Sequence, residues 1–108
     1  MTSRQLEYFL AVARYLNFTR AAEALYVSQT AITRQIQVLE EEVGAQLFFR
    51  TKKQVQLTAA GQVFLTEARA ILERTRSACR KAEAAAGGFS GQLKAGYIKG
   101  YEKTSFSN

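Results

Sequence analysis

The 108-residue chain reads as mainly α, with three short helices, a small two-stranded hairpin and one long closing helix. Three observations predict this. Apolar residues recur at spacings of three and four through most of the chain, the pattern of amphipathic helices. One stretch, LFFRTKKQVQLT, breaks that period with two strand-like pieces around a polar tip. There is no proline and there are only seven glycines, so few positions interrupt a helix or force a rigid turn.

Composition narrows the function classes. Hydrophobic residues make up 47% of the chain, enough for a packed core, and no run approaches 18 apolar residues, so no membrane span is expected. MTSRQLEYF lacks a basic stretch followed by an apolar one, so nothing in it marks secretion. The single cysteine, Cys79, cannot pair within the chain, which fits a reducing cytoplasm. With no histidine, one cysteine, no glycine-rich phosphate loop and no converging carboxylates, enzyme chemistry has no candidate residues, and no cofactor or metal is expected. Glu40, Glu41 and Glu42 are consecutive on a helix and cannot meet at one ion. The net charge of +6 suggests an anionic partner, but residues 1–58 hold seven basic side chains against five acids. Any nucleic-acid argument must therefore rest on placement.

The first helix is RQLEYFLAVARYL, with Leu6, Phe9, Leu10 and Ala13 at helical spacing and Leu16 one turn further on. Asn17 and Thr19 are both candidate caps for a short second helix, TRAAEALY. Its Ala21 and Ala22 are small enough to let another helix approach closely. Val27 and Ser28 then separate it from the third helix, which Ser28 caps and Gly44 ends. Ile32, Ile36, Leu39 and Val43 form one core-facing stripe there. Helical geometry sends Gln29, Thr30, Thr33, Arg34 and Gln37 to the outside.

Those side chains can read bases. Gln offers a donor and an acceptor that match adenine, Arg can fork onto guanine or phosphate, and Thr offers a hydroxyl and a methyl. They crowd the first turns of the second of two helices joined by a tight turn, the end that helix-turn-helix proteins insert into the major groove. The hairpin comes next: Leu47–Arg50 and Val55–Leu57 flank TKKQ, placing Arg50, Lys52 and Lys53 at its shoulder and tip. Basic side chains there would reach a phosphate backbone or a narrow minor groove. The fold class expected is thus a winged helix-turn-helix over residues 1–58.

Thr58 caps the long helix, which runs to about Ala86. Gly61, Phe64, Ala68, Ile71, Thr75, Ala78, Ala82 and Ala85 form a stripe, widened by Leu65, Leu72, Cys79 and Ala86. A helix of this length spans roughly 40 Å, and its stripe asks for a partner, most simply a second copy. Residues 59–87 are therefore expected to be a dimerisation helix, with Phe64, Leu65, Ala68, Ile71, Leu72, Thr75 and Cys79 in the seam. Arg69, Arg74, Arg76, Arg80 and Lys81 read as a solvated face. Gly87 and Gly88 mark a hinge, and Leu93–Ile98 reads as a strand.

The run AAEALYVSQTAITRQIQVLEEEVGAQLFFRTKKQVQLTAAG resembles the N-terminal DNA-binding domain of the LysR-type transcriptional regulators. The likeness is carried by the double Ala, the SQ opening the third helix, TRQI, LEEEVG, LF followed by Arg, and LTAAG, and it covers residues 3 to about 87. Thr30 departs from the pattern, since the family often has Pro or another small residue there. The resemblance implies that Gln29, Thr30, Thr33 and Arg34 face the major groove, with Gln29 reading a base edge. It implies that Thr33 and Arg34 divide between bases and phosphates, and that Arg50 and the wing touch the backbone or minor groove. It implies a bacterial, cytoplasmic transcription regulator whose linker helix pairs antiparallel with its mate on double-stranded DNA carrying interrupted inverted-repeat half-sites. Full-length forms could pair further into tetramers. Residues 88–108 would open an effector-binding domain, with Thr104 and Ser105 resembling its first ligand-contacting loop, and a small-molecule effector would bind the rest of that domain. The rival reading is a winged-helix module for protein–protein contacts without DNA readout. Such a surface would show aromatic anchors, and residues 29–37 contain none. A membrane-surface role for residues 58–86 is weaker still, because the stripe is rich in Ala and lacks Trp.

Overall fold

The first three helices are each opened by a side-chain cap and closed by a residue in the left-handed conformation. In α1 (Ser3–Tyr15) the Thr2 hydroxyl accepts from the Gln5 N–H and the Gln5 side chain accepts from the Thr2 N–H, a reciprocal capping box. In α2 (Phe18–Leu25) Asn17 accepts from the Arg20 N–H, so Asn17 and not Thr19 is the cap. In α3 (Gln29–Val43) Ser28 accepts from the Ala31 N–H, and Gly44 follows at φ +83°. The computed structural model describes residues 1–51 and 54–87. Lys52, Lys53, Gly88, the expected strand at 93–98, and Thr104 and Ser105 lie outside the described residues.

The wing is a two-stranded antiparallel sheet, β1 (Phe48–Arg50) with β2 (Val55–Leu57), in which Phe48 pairs Leu57, Phe49 pairs Gln56 and Arg50 pairs Val55. Leu47, expected in the strand, lies just before it because its backbone is used elsewhere. Its carbonyl accepts from the Thr58 N–H and its N–H donates to Glu40. Thr58 then opens α4 (Ala59–Ala85), its hydroxyl accepting from the Gly61 N–H and donating to the Gln46 carbonyl at 2.7 Å.

Aromatic side chains centre the core. Phe9 meets Phe48 at 5.3 Å and Phe64 at 5.1 Å, and Phe18 meets Phe48 at 5.9 Å between ring centroids. Around them Val12, Ile32, Ile36, Leu39 and Leu47 are fully buried. Each large side chain so removed from water contributes about 1.5–3 kcal/mol. Ala21 and Ala22 are buried where α1, α2 and α3 pack on one another, the close approach that their size allows.

Two expectations change. Leu16 does not extend the apolar face of α1. It is the left-handed closing residue at φ +49° and is 43% exposed, while Tyr8 and Val12 join the core instead. The stripe of α4 is not wholly left for a partner. Ala68 and Leu72 are buried within this one chain, and Phe64 and Leu65 pack half-buried against the same core. Phe64, in the first half of α4, meets the Phe9 ring at 5.1 Å, so this half of the helix belongs to the core's own cover. The first compact unit accordingly runs Met1–Leu72, past the expected boundary at residue 58, and a second unit begins at Glu73. In that second unit Thr75, Ala78, Cys79, Ala82 and Ala85 are exposed, and Arg80 pairs with Glu73 at 3.1 Å on the surface. Among the described residues no helix is long and apolar enough to cross a membrane.

Candidate nucleic-acid interface

Fifteen residues of α3 bury one stripe and leave the other side open. On that side Gln29, Thr30, Thr33, Arg34 and Gln37 together line one shallow concavity of about 390 Å³. Thr33 is half-buried and the other four are exposed. The residues expected to read bases are thus gathered in the first turns of one helix, and a helix with side chains, about 10–12 Å across, matches a major groove about 12 Å wide.

A second open depression, about 430 Å³, adjoins it and shares Gln29 and Thr33. Its other walls come from Leu16 and the start of α2 (Asn17, Phe18, Thr19) and from the wing (Arg50, Thr51, Gln54, Val55). The outward face of α3, the start of α2 and the wing shoulder therefore border one continuous surface. The wing turn is closed by Thr51, whose N–H and hydroxyl both donate to the Gln54 carbonyl while its hydroxyl accepts from the Gln54 N–H.

Arg50 sits on this surface with part of its fork already used. One Nη donates to Glu40 Oε1 at 3.2 Å, and the guanidinium lies 5.1 Å from the centre of the Phe18 ring. The same Glu40 accepts at Oε2 from the N–H of Leu47 at 2.8 Å and of Phe48 at 3.3 Å. Glu40 is thus a buried brace from the C-terminal half of α3 to the wing. Sequence reasoning missed it by weighing Glu40, Glu41 and Glu42 only as ligands for one ion. The available signal was position: Glu40 stands four residues after Ile36 and beside Leu39, on the edge of the core stripe. Two further contacts were not anticipated. Gln5 donates to Gln35 at 2.9 Å, tying α1 to α3, and the Thr19 hydroxyl donates to Gln29 Oε1 at 3.0 Å.

The residues expected at a dimer seam divide. Ala68 and Leu72 lie inside the first unit with Phe64 and Leu65 beside them, whereas Ile71, Thr75 and Cys79 are exposed.

The family model for bacterial regulatory helix-turn-helix proteins of the lysR family matches residues 3–62. Over 98 residues the chain is 50% identical to the HTH-type transcriptional regulator TfdT of Cupriavidus pinatubonensis, covering 91% of this chain and 43% of that protein. It is 48% identical over 96 residues to the HTH-type transcriptional regulator BudR of Klebsiella aerogenes, covering 89% of this chain and 67% of BudR. Among solved structures, the DNA-binding domain of CbnR in complex with DNA superposes with a TM-score of 0.77 at 48% identity, over 80% of this chain and 99% of that one. The chain thus spans less than half the length of TfdT but nearly all of an isolated DNA-binding domain. With the family's model matched over more than half of its residues, the chain belongs to the lysR family of bacterial helix-turn-helix regulators.

Proposed function

We propose that this chain is the sequence-specific DNA-binding part of a LysR-type transcriptional regulator, acting in the cytoplasm as a homodimer on double-stranded DNA. The N-terminal turns of α3 enter the major groove, and the wing lies on the backbone or in the minor groove. Each copy takes one half-site of an interrupted inverted repeat. A small-molecule effector, where the regulator answers to one, binds a further C-terminal domain. The observation that carries the reading is the grouping of Gln29, Thr30, Thr33, Arg34 and Gln37 around one open concavity, beside a second one that reaches the wing. The CbnR domain solved as a DNA complex supports it at 48% identity.

The test separates base reading from phosphate holding. Duplexes are selected from a random pool with the 108-residue chain, and binding to the selected site and to a scrambled duplex is titrated against salt. Gln29→Ala should cost about 1–3 kcal/mol on the selected site and almost nothing on scrambled DNA. Lys52→Ala or Lys53→Ala should weaken both and lower the salt slope by about one for each phosphate no longer neutralised. Equal losses on both duplexes for Gln29→Ala would remove α3 as the reading element.

A further inference from the structure

We propose that Thr19 is a specificity-determining positioning residue, one that holds the Gln29 amide in its reading orientation before DNA arrives. The inference rests on the DNA-reading function proposed above and names a residue that the base-reading set lacks. Its basis is the hydrogen bond from the Thr19 hydroxyl to Gln29 Oε1, 3.0 Å long, joining the first turn of α2 to the first residue of α3.

Three features make this contact more than a surface accident. The Thr19 hydroxyl has no capping work, because Asn17 already takes the orphan N–H at Arg20. Its backbone is fixed against α3, because Phe18, Ala21 and Ala22 beside it are buried in the core. Gln29 lies where the two surface depressions meet, so its amide is central to the surface and not at its rim.

An exposed glutamine has three free side-chain torsions, and ordering it on binding costs conformational entropy. A side-chain amide is planar, so anchoring the oxygen also restricts the directions open to the two N–H bonds on Nε2. Oε1 keeps a second lone pair, so the held amide can still both accept and donate. Thr19 therefore removes the wrong rotamers without consuming the reading groups. Its effect appears in discrimination at one base pair, since any single orientation favours one edge pattern over the others.

The experiment uses the whole chain on the selected duplex and on variants changed at each base pair in turn. The base pair at which Gln29→Ala loses its preference is the one that Gln29 reads. At that pair Thr19→Val, which keeps the branched shape and removes the hydroxyl, should lower discrimination about three- to tenfold, the worth of one ordinary hydrogen bond. Discrimination elsewhere, affinity for scrambled DNA and the thermal midpoint should stay as in the unmodified chain. Thr19→Ser should restore the preference, and Thr19→Val combined with Gln29→Ala should lose no more than Gln29→Ala alone. Unchanged discrimination in Thr19→Val overturns the inference. So does an equal loss on all duplexes with a lower salt slope, which would make Thr19 a phosphate contact. If Gln29→Ala itself shifts no base preference, the function proposed above fails first, a result distinct from failure of Thr19 alone.

Discussion

Replacing Glu40 should damage this domain more than removal of any other surface-coded charge, because its carboxylate serves backbone groups that have been taken from water. Oε2 accepts from Leu47 at 2.8 Å and from Phe48 at 3.3 Å, both fully buried residues, while Oε1 faces Arg50. In Glu40→Ala two donors lose an acceptor in a site that water cannot easily enter. Each buried unsatisfied donor costs about 1–3 kcal/mol, and the longer bond to Phe48 belongs at the low end. The half-exposed Arg50 adds little, because its charge can turn to solvent. The expected loss is about 3 kcal/mol, a large share of the roughly 5–15 kcal/mol that holds a domain of this kind. Glu40→Gln is the informative partner. Its oxygen can occupy the Oε2 position and keep both backbone bonds, leaving an NH₂ against the Arg50 guanidinium, so it should lose only about 1 kcal/mol. Urea unfolding followed by far-ultraviolet circular dichroism, at one fixed chain concentration, measures both variants. If the alanine variant loses no more than the glutamine variant, Glu40 is not bracing the backbone and the reasoning fails.

Two other outcomes follow from the caps and from the divided stripe of α4. Asn17→Ala should cost about 1 kcal/mol in the same unfolding assay, whereas Thr19→Ala, which removes no cap, should stay within about 0.5 kcal/mol. Ile71→Asp, at a position 40% exposed, should leave a folded chain that sediments as a monomer at micromolar concentration. Leu72→Asp, at a position 5% exposed, should unfold the first unit instead, by about 3 kcal/mol or more from burying an unpaired charge. A folded, monomeric Leu72→Asp would place that residue in the seam and not in the core.

Helices were legible because period and punctuation agreed. Ile32, Ile36 and Leu39 mark a stripe, Ser28 opens it, Gly44 closes it, and all five stand where the spacing puts them. The grouping of Gln29, Thr30, Thr33, Arg34 and Gln37 on the opposite side followed from the same period. What spacing could not show was the order in which apolar faces find partners. Phe64, Leu65, Ala68 and Leu72 look identical in sequence whether a second chain or the domain's own core covers them, and it is the folded contacts, such as Phe64 on Phe9, that tell the two apart. Polar contacts between elements were illegible for a related reason. Thr19 to Gln29, Gln5 to Gln35 and Glu40 to Leu47 each join residues whose proximity is created by packing. A sequence displays such residues as ordinary surface side chains. Leu16 misled differently: its apolar character suggested continuation of the stripe, while the chain needed a left-handed exit at that point.

Gly61 poses the sharpest conflict between local propensity and tertiary packing. It sits within the first turn of α4, where alanine would favour the helix by about 1 kcal/mol and would also reduce the freedom of the unfolded chain. On local grounds Gly61→Ala should therefore stabilise. The fold says otherwise. A Cβ at Gly61 would lie 2.1 Å from the Leu47 carbonyl oxygen and 2.8 Å from Leu57 Cδ2. The leucine methyl can turn aside, but the carbonyl cannot easily follow, because it is held by the Thr58 N–H at 3.0 Å. Making room moves the start of α4 away from the wing, which strains the Thr58 cap and loosens Phe64 and Leu65 from the core. Overpacking of this kind costs about 1–3 kcal/mol and more where backbone must shift, so the net expectation is a loss of about 2–3 kcal/mol despite the better helix former. Gly44→Ala supplies the control. Nothing lies within 4 Å of its added Cβ, and the cost there is only the positive φ of +83°, about 1–2 kcal/mol. Unfolding midpoints of the two variants rank the two causes. If Gly61→Ala proves as stable as the unmodified chain, α4 does not approach the Leu47 carbonyl this closely, and the junction of wing and long helix described above is wrong.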